Sequence, residues 1–446
     1  MRACIYTSLF VLIILFATFS SVLSLSSNSW KNQTIDEGGA IGFQSLVLDS
    51  KGNPRIAYVG YANGSWHNPL TLMYACWSEA EWIIENVTLG SGYPSIVLDS
   101  NDNPHIVFGS SFVTYASLDS TGWSFQTVDR GNSGWIALDS NDEPHLVYKG
   151  TNGLQYARFT EMGWQIETID ELQNASSRVY LEIDANNNPH VLYGCEISGP
   201  QGALIAINYA TRNSSGWSIQ TVVSDAGSGN FGNLALDSKS YPHFVYIRPQ
   251  IHPDYGYYTP LNTTQIYVNW NGSTWNTQEV ASNIKWHGIA GFLALDSQDY
   301  PHVVYYNETT DDSGVLFYSR ITGTVWDNQI IDSGNALNPS SIALDANGTP
   351  HIAYLGRPVH PSIYIAHIKY ATLSGSAEDS TTPLTMSISS VVIIVTTVTA
   401  GVCLLIYSKK RNPKIEKQQL LYTQLAKTSN WRFNLKHISS LIVVHC

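Results

Sequence analysis

Charge is scarce in this chain of 446 residues: 13% of its residues are charged, against 12% aromatic and 43% hydrophobic. An average soluble domain carries about 25% charged residues, so this composition suits a chain that buries much of its surface. The shortage is greatest for cations. Residues 25–386 hold 14 Lys and Arg against 34 Asp and Glu, a net charge of −20. Nucleic-acid phosphates demand cationic surface, which excludes that class of partner for this stretch. Cysteine is short as well. Of five, Cys4, Cys403 and Cys446 fall in the two end regions, leaving Cys76 and Cys195 between them. Two thiols do not make a disulfide framework. No nucleophile elbow, phosphate-binding loop or dinucleotide fingerprint occurs either.

What is present is a repeat. Seven times the chain spells a variant of L-D-S-x-x-x-P-H-I-x-Y, with Asp–Pro pairs at Asp49/Pro54, Asp99/Pro104, Asp139/Pro144, Asp184/Pro189, Asp237/Pro242, Asp296/Pro301 and Asp345/Pro350. Each pair is five residues apart, whereas successive units are 40 to 59 residues apart. Fixed spacing within a unit and elastic spacing between units mark a tandem structural repeat. Every unit adds a tyrosine: Tyr74, Tyr115, Tyr156, Tyr209, Tyr267, Tyr318 and Tyr370. Eight residues after the first six stands a tryptophan: Trp82, Trp123, Trp164, Trp217, Trp275 and Trp326. The seventh is missing after Tyr370 and is found near the start of the chain, as Trp30.

Each unit contains four short runs rich in Val, Ile, Tyr, Phe and Trp, separated by Gly, Asn, Asp, Ser and Pro, which read as strands a, b, c and d. In the a–b connection Asp and Asn bond their own backbone, and Pro cannot donate inside a ladder. A four-stranded antiparallel sheet of about 45 residues is a propeller blade. The expected fold is therefore all-β, a seven-bladed propeller spanning residues 25–373, with the Trp30 strand completing the last blade. Such closure leaves no exposed sheet edge to nucleate aggregation. Cys76 and Cys195 then lie in the first and fourth units, too far apart for the ~7 Å that a bridge tolerates.

Both ends of the chain speak to compartment. Residues 1–24, with Arg2, an apolar stretch at 9–19 and small residues near Ser24, read as a secretory signal peptide, with an uncleaved anchor as the alternative. After a polar linker at 374–386, residues 387–407 carry no charge over 21 positions, enough to cross about 30 Å of hydrocarbon as a helix. Lys409, Lys410 and Arg411 follow at once, and the basic tail 408–446 has a net charge of +7. The positive-inside rule places that tail in the cytoplasm and the propeller outside a plasma membrane, on a single-pass anchor.

In its repeat the chain resembles the cell-surface seven-bladed β-propeller repeat proteins of archaea and bacteria that carry L-D-S-x-G-N-P-H-I-x-Y and L-x-Y-A units. The residues concerned are Ser341 to Tyr354 and their six counterparts, within about residues 28–372. A more distant likeness, in architecture, is to sialidase-type propellers, whose Asp-box S-x-D-x-G-x-T-W is not what this chain spells. The resemblance implies the fold and is nearly silent on function.

Spacing separates the two faces of such a molecule. The a–b and c–d connections are constant and the b–c and d–a loops are not, so recognition is expected on the b–c/d–a face. Trp66, His67, His252, Tyr255, Tyr257, Tyr258, Trp286, His287, Arg357 and His360 are the ligand-binding candidates there. Their rings suit a glycan or a protein partner, or they cover the loops themselves. His105, His145, His190, His243, His302 and His351 recur one per unit, with Arg55 in the first. A shared metal centre needs several ligands together, so these read as structural. Asp99, Asn101, Asn103 and Asp184, Asn186, Asn188 place oxygens at alternate positions as calcium loops do, while Lys51 and Lys239 stand at the middle position elsewhere. A turn held by its own Asp is the reading adopted, with calcium as the only cofactor alternative. Sequons begin at Asn32, Asn63, Asn86, Asn174, Asn213, Asn262, Asn271, Asn307 and Asn347, all outside the expected membrane. The function expected is a non-catalytic recognition module at the cell surface. The alternative is a sialidase- or glycosidase-like enzyme on the same scaffold, with loop acids Glu196, Asp254, Glu308, Asp311 and Asp312 as candidates and no motif to join them.

Overall fold

Alternating apolar and polar residues between turn signals give strands throughout, in a computed structural model that describes residues 29–374 less the segments 63–67, 79, 133, 172–174, 200–201, 225, 227–230, 250–261, 286–289, 309–313, 323 and 358–365. The expected signal peptide, the membrane segment 387–407 and the basic tail lie outside the described residues. Among the described residues there is no α-helix, and so none long and apolar enough to cross a membrane.

The strands are β1 (Trp30–Leu48), β2 (Pro54–Tyr61), β3 (Leu70–Ser78) and β4 (Glu81–Leu89). There follow β5 (Ser95–Leu98), β6 (Pro104–Phe108), β7 (Phe112–Asp119) and β8 (Gly122–Arg130). Next come β9 (Trp135–Leu138), β10 (Pro144–Gly150), β11 (Gly153–Arg158) and β12 (Gln165–Asp170). The fourth unit supplies β13 (Ala175–Ile183), β14 (Pro189–Gly199), β15 (Gly202–Asn213) and β16 (Gly216–Val223). The fifth supplies β17 (Phe231–Leu236), β18 (Pro242–Pro249), β19 (Thr263–Trp270) and β20 (Trp275–Ile284). Last are β21 (Phe292–Leu295), β22 (Pro301–Glu308), β23 (Gly314–Thr322), β24 (Val325–Leu344), β25 (Pro350–Gly356) and β26 (Ala366–Leu373).

Four sheets are four-stranded, with orders β5-β6-β7-β8, β12-β11-β10-β9, β13-β14-β15-β16 and β17-β18-β19-β20. A ten-stranded sheet runs β21-β22-β23-β24-β25-β26-β1-β2-β3-β4. Its two long strands are each shared by two sets of four: β24 pairs first with β23 and then with β25, and β1 first with β26 and then with β2. Both change partner across register shifts. The first strand and the last thus meet, with Trp30 opposite Leu373 and Gln33 opposite Tyr370. All pairings are antiparallel, as blade-like sheets require.

Packing follows strand position. Each b strand is buried along almost its whole length, as in β25, whereas the d strands expose their middles, as in β8. The a strands touch one another in the order β1, β5, β9, β13, β17, β21, β24 and back to β1. Each repeat tyrosine meets the repeat tryptophan of the following unit edge-on. The pairs are Tyr74–Trp123, Tyr115–Trp164, Tyr156–Trp217, Tyr209–Trp275, Tyr267–Trp326, Tyr318–Trp30 and Tyr370–Trp82, at 5.2 to 5.6 Å between ring centres. Such pairs contribute about 0.5–1.5 kcal/mol each beyond their buried area. They join every sheet to its neighbour, including the last to the first. Neither Cys76 on β3 nor Cys195 on β14 is in a disulfide.

Candidate functional site

In each unit after the first, the turn aspartate holds its own turn by hydrogen bonds and faces a histidine that is hydrogen-bonded to the repeat tyrosine. In the fourth, Asp184 Oδ1 accepts the backbone N–H groups of Asn186 and Asn188 at 2.9 and 2.7 Å, and its Oδ2 accepts the Asn188 side chain at 3.0 Å. His190 points Nε2 at the same carboxylate, 3.5 Å away, and its Nδ1 lies 2.5 Å from the Tyr209 hydroxyl. Burial lowers the pKa of all six repeat histidines, against the pull of their aspartates. A neutral ring with its proton on Nε2 then accepts from the phenol, and burial raises the tyrosine pKa to match. Arg55 replaces histidine in the first unit, bonding Asp49 at 2.9 Å and Tyr74 at 3.3 Å. The calcium candidates of the second unit are arranged in the same way: Asp99 accepts from Asn101 and Asn103 at 2.8 to 2.9 Å. Their carboxylates are occupied in holding turns. Among the described residues no group of three or more His, Cys, Asp or Glu is placed to hold a metal.

One boundary between neighbouring sheets opens into a cleft. Between β9–β12 and β13–β16, a cavity of about 430 Å³ has the His145–Tyr156 pair among its lining groups. Its walls carry Arg158 from β11, Gln165 and Glu167 from β12, Asn187 and Asn188 from the a–b turn of the fourth unit, and Arg212 and Asn213 from the end of β15. Arg212 grips Glu167 in a two-point fork, Nε to Oε1 at 2.6 Å and an Nη to Oε2 at 3.2 Å. The Trp217 indole donates to the same Oε1 at 3.2 Å. Arg158 is exposed, has no ion-pair partner among the described residues, and helps to hold the neighbouring His145 neutral. Half-exposed ion pairs contribute only about 0–1 kcal/mol to folding, so stability gives little reason for this one. A planar fork, a carboxylate and four amide side chains around a polar hollow can bind a ring of hydroxyls, and the second guanidinium adds a site for an anion.

Glu167 stands three residues after its tryptophan, where the other units have Gln33, Glu85, Gln126, Gln220, Gln278 and Gln329. Trp164 and Trp217 reach this column with their indole N–H, to Gln126 at 3.0 Å and to Glu167. The indole N–H groups of Trp30, Trp82, Trp123, Trp275 and Trp326 are buried without a partner.

Of the ligand candidates on the b–c/d–a face, Trp66, His67, His252, Tyr255, Tyr257, Tyr258, Trp286, His287 and His360 lie outside the described residues. Arg357 is described, half-buried, with its Nε enclosed and unbonded. The cleft is at the opposite edge, where a–b and c–d turns emerge, and its arginines were not singled out by the sequence. Of the sequons, Asn32, Asn86, Asn213, Asn271 and Asn347 are exposed, and Asn262 and Asn307 are half-buried. Asn63 and Asn174 are outside the described residues. Of the loop acids, Glu196 is exposed and Glu308 half-buried, and the other three are outside.

No protein-family model matches the chain, and no curated protein does. Among solved structures it is similar to the α-L-arabinofuranosidase Arb93A from Fusarium graminearum, at 9% identity and a TM-score of 0.46, over 77% of this chain and 98% of that one. It is similar to an ancestral GH74 enzyme at 10% identity and a TM-score of 0.49, over 76% of this chain and 48% of that one. It is also similar to AofleA from Arthrobotrys oligospora, at 12% identity and a TM-score of 0.42, over 68% and 90%. At such identities the likeness is one of fold alone.

Proposed function

We propose that the chain is a closed seven-bladed β-propeller, displayed outside a membrane on one crossing helix, that recognises an acidic saccharide in the cleft between its third and fourth blades. The observation that carries this reading is the exposed Arg212–Glu167 fork, standing beside the unpaired Arg158 in a polar cavity of about 430 Å³. That volume suits one or two sugar rings better than the broad contact area of a protein partner. Two guanidinium groups against one carboxylate leave the cleft positive on an otherwise acidic domain. Ring closure is supported by the cycle of tyrosine–tryptophan contacts and by the pairing of β1 with β26. The membrane topology is supported by the uncharged stretch 387–407 and its basic flank.

A glycan array probed with the detergent-solubilised protein tests the proposal. Binding to uronate- or sialate-bearing glycans is expected, weakened at least about tenfold in R212A, whose lost fork is a charge-assisted pair. Binding that ignores both R212A and E167Q removes the cleft from the account, and an empty array removes carbohydrate. A carbohydrate-active enzyme is the second reading, the class in which Arb93A and the GH74 enzyme fall. Turnover of a bound glycan, lost on changing a single carboxylate, would move the protein into that class.

A further inference from the structure

A second cavity, of about 360 Å³, is lined by residues from all seven a strands and has an apolar wall that includes Leu46, Ile96, Ile136 and Leu181. Two residues before each repeat aspartate the chain has Val47, Val97, Ala137, Ala235, Ala294 and Ala343, but Glu182 in the fourth unit. A carboxylate in that column is costly unless something pairs with it. Nothing described does: no described group hydrogen-bonds to the carboxyl of the half-buried Glu182, and desolvation pushes that carboxyl up to about 8. Its cross-strand neighbour on β14 is His190, whose ring bonds Tyr209 through Nδ1 and turns Nε2 toward Asp184, 3.5 Å away.

The other polar side chains of this cavity already have work. Ser45 accepts the backbone N–H of Ile96 at 3.2 Å, and Ser341 accepts that of Leu46 at 3.1 Å. Asn233 holds both the N–H and the C=O of Leu293 at 2.8 Å. These bonds tie neighbouring a strands together. Glu182 is left as the one unmatched carboxyl in the wall, and Trp135 lines the same cavity, edge-on to Tyr180 at 4.9 Å. Tyr180 and Glu182 lie on one face of β13, two residues apart.

We propose that this cavity is a binding site for a primary alkylammonium ion, its amine against the Glu182 carboxylate and its short aliphatic body on the apolar wall beside Trp135. The ligand must bring its own positive charge and its own donors, which an ammonium group does. A divalent cation needs several oxygens, and the serine and asparagine oxygens here are engaged. The volume admits a few carbons and not a peptide. The indole adds attraction for a cation within about 6 Å of its ring. This inference is independent of the outer cleft.

The test is a thermal-shift titration of the full-length protein in detergent with n-butylammonium chloride, against sodium chloride and n-butanol at equal concentration. A saturable rise in Tm is expected with butylammonium alone. E182Q, a neutral isostere, should weaken the apparent affinity at least about tenfold, as loss of a charge-assisted pair does. W135F, which keeps a ring, should weaken it about threefold and serves if E182Q does not fold. E167Q, in the outer cleft, should leave it unchanged. No rise, an equal rise with butanol, or a rise that persists in both E182Q and W135F overturns the proposal.

Discussion

Asp184 serves four groups with one carboxylate: two backbone N–H groups, one amide side chain and the imidazole of His190. Hydrogen bonds to the charged form outweigh the cost of its partial burial, and its pKa falls below the ordinary 3.8. Removing it deprives the backbone and side-chain N–H groups of half-buried Asn188 of their acceptor and leaves the buried His190 ring nitrogen facing no charge. D184A is therefore expected to lower unfolding free energy by about 2–4 kcal/mol, read from denaturant titration. N186A is the matched control. Asn186 is exposed and contributes its backbone N–H, which alanine retains, so its effect should stay within about 0.5 kcal/mol. Equal losses for the two would show that the carboxylate is not what holds the turn.

At the scale of the element, the a–b turn carries a conformational demand that local sequence displays. Its fourth residue is left-handed in all seven units: Gly52, Asp102, Asp142, Asn187, Ser240, Asp299 and Gly348. Glycine meets that demand freely, and Asn and Asp tolerate it better than other residues. Asp299 is also used between units, accepting the Ser238 N–H and hydroxyl at 2.9 and 2.6 Å, as Asp102 does for Ser50. Ser240 bears the same strain, and among the described residues its side chain has no hydrogen bond to compensate, at a φ of 62°. S240G should raise stability by about 0.5 kcal/mol, and D299G should lower it by about 1 kcal/mol, by relieving strain in one case and losing two bonds in the other. Thermal melts that move in the same direction for both would contradict this division. The strands and this turn were legible because their signals are local. The tyrosine–tryptophan contacts were not: a spacing of eight fixes neighbours along one hairpin and is silent on which ring the adjacent sheet presents.

Over the whole molecule, what escaped the sequence lies between units. Arg212 and Glu167 are 45 residues apart and each reads locally as a solvated charge. Glu182 could have been found by aligning the seven units on their aspartates, since it breaks a column of Val and Ala. The same repetition makes titration a collective property. Five buried histidines and the half-buried His105 have pKa values lowered from 6.5, chiefly by desolvation. Below about pH 6.5 the unfolded chain takes up protons that the folded chain refuses, so stability falls as pH drops through that window. If all six rings stay neutral, the slope reaches about 8 kcal/mol per pH unit. The turn aspartates, lowered from 3.8, add to the loss at still lower pH, as the folded carboxylates protonate last. Glu182 has the opposite sign: raised from 4.5 to about 8, its neutral form favours the fold at low pH, and that advantage is lost as pH rises from 4.5 through 8. Its slope is shallow, about 1.4 kcal/mol per pH unit. Unfolding followed from pH 4 to 9 should therefore show a steep acid limb and a gentle alkaline one, with greatest stability at about pH 7. In E182Q the alkaline decline should flatten while the acid limb stays, and in H190L the acid limb should lose about one-sixth of its slope. An alkaline limb unchanged in E182Q would mean that the Glu182 carboxylate is solvated or paired in the folded protein.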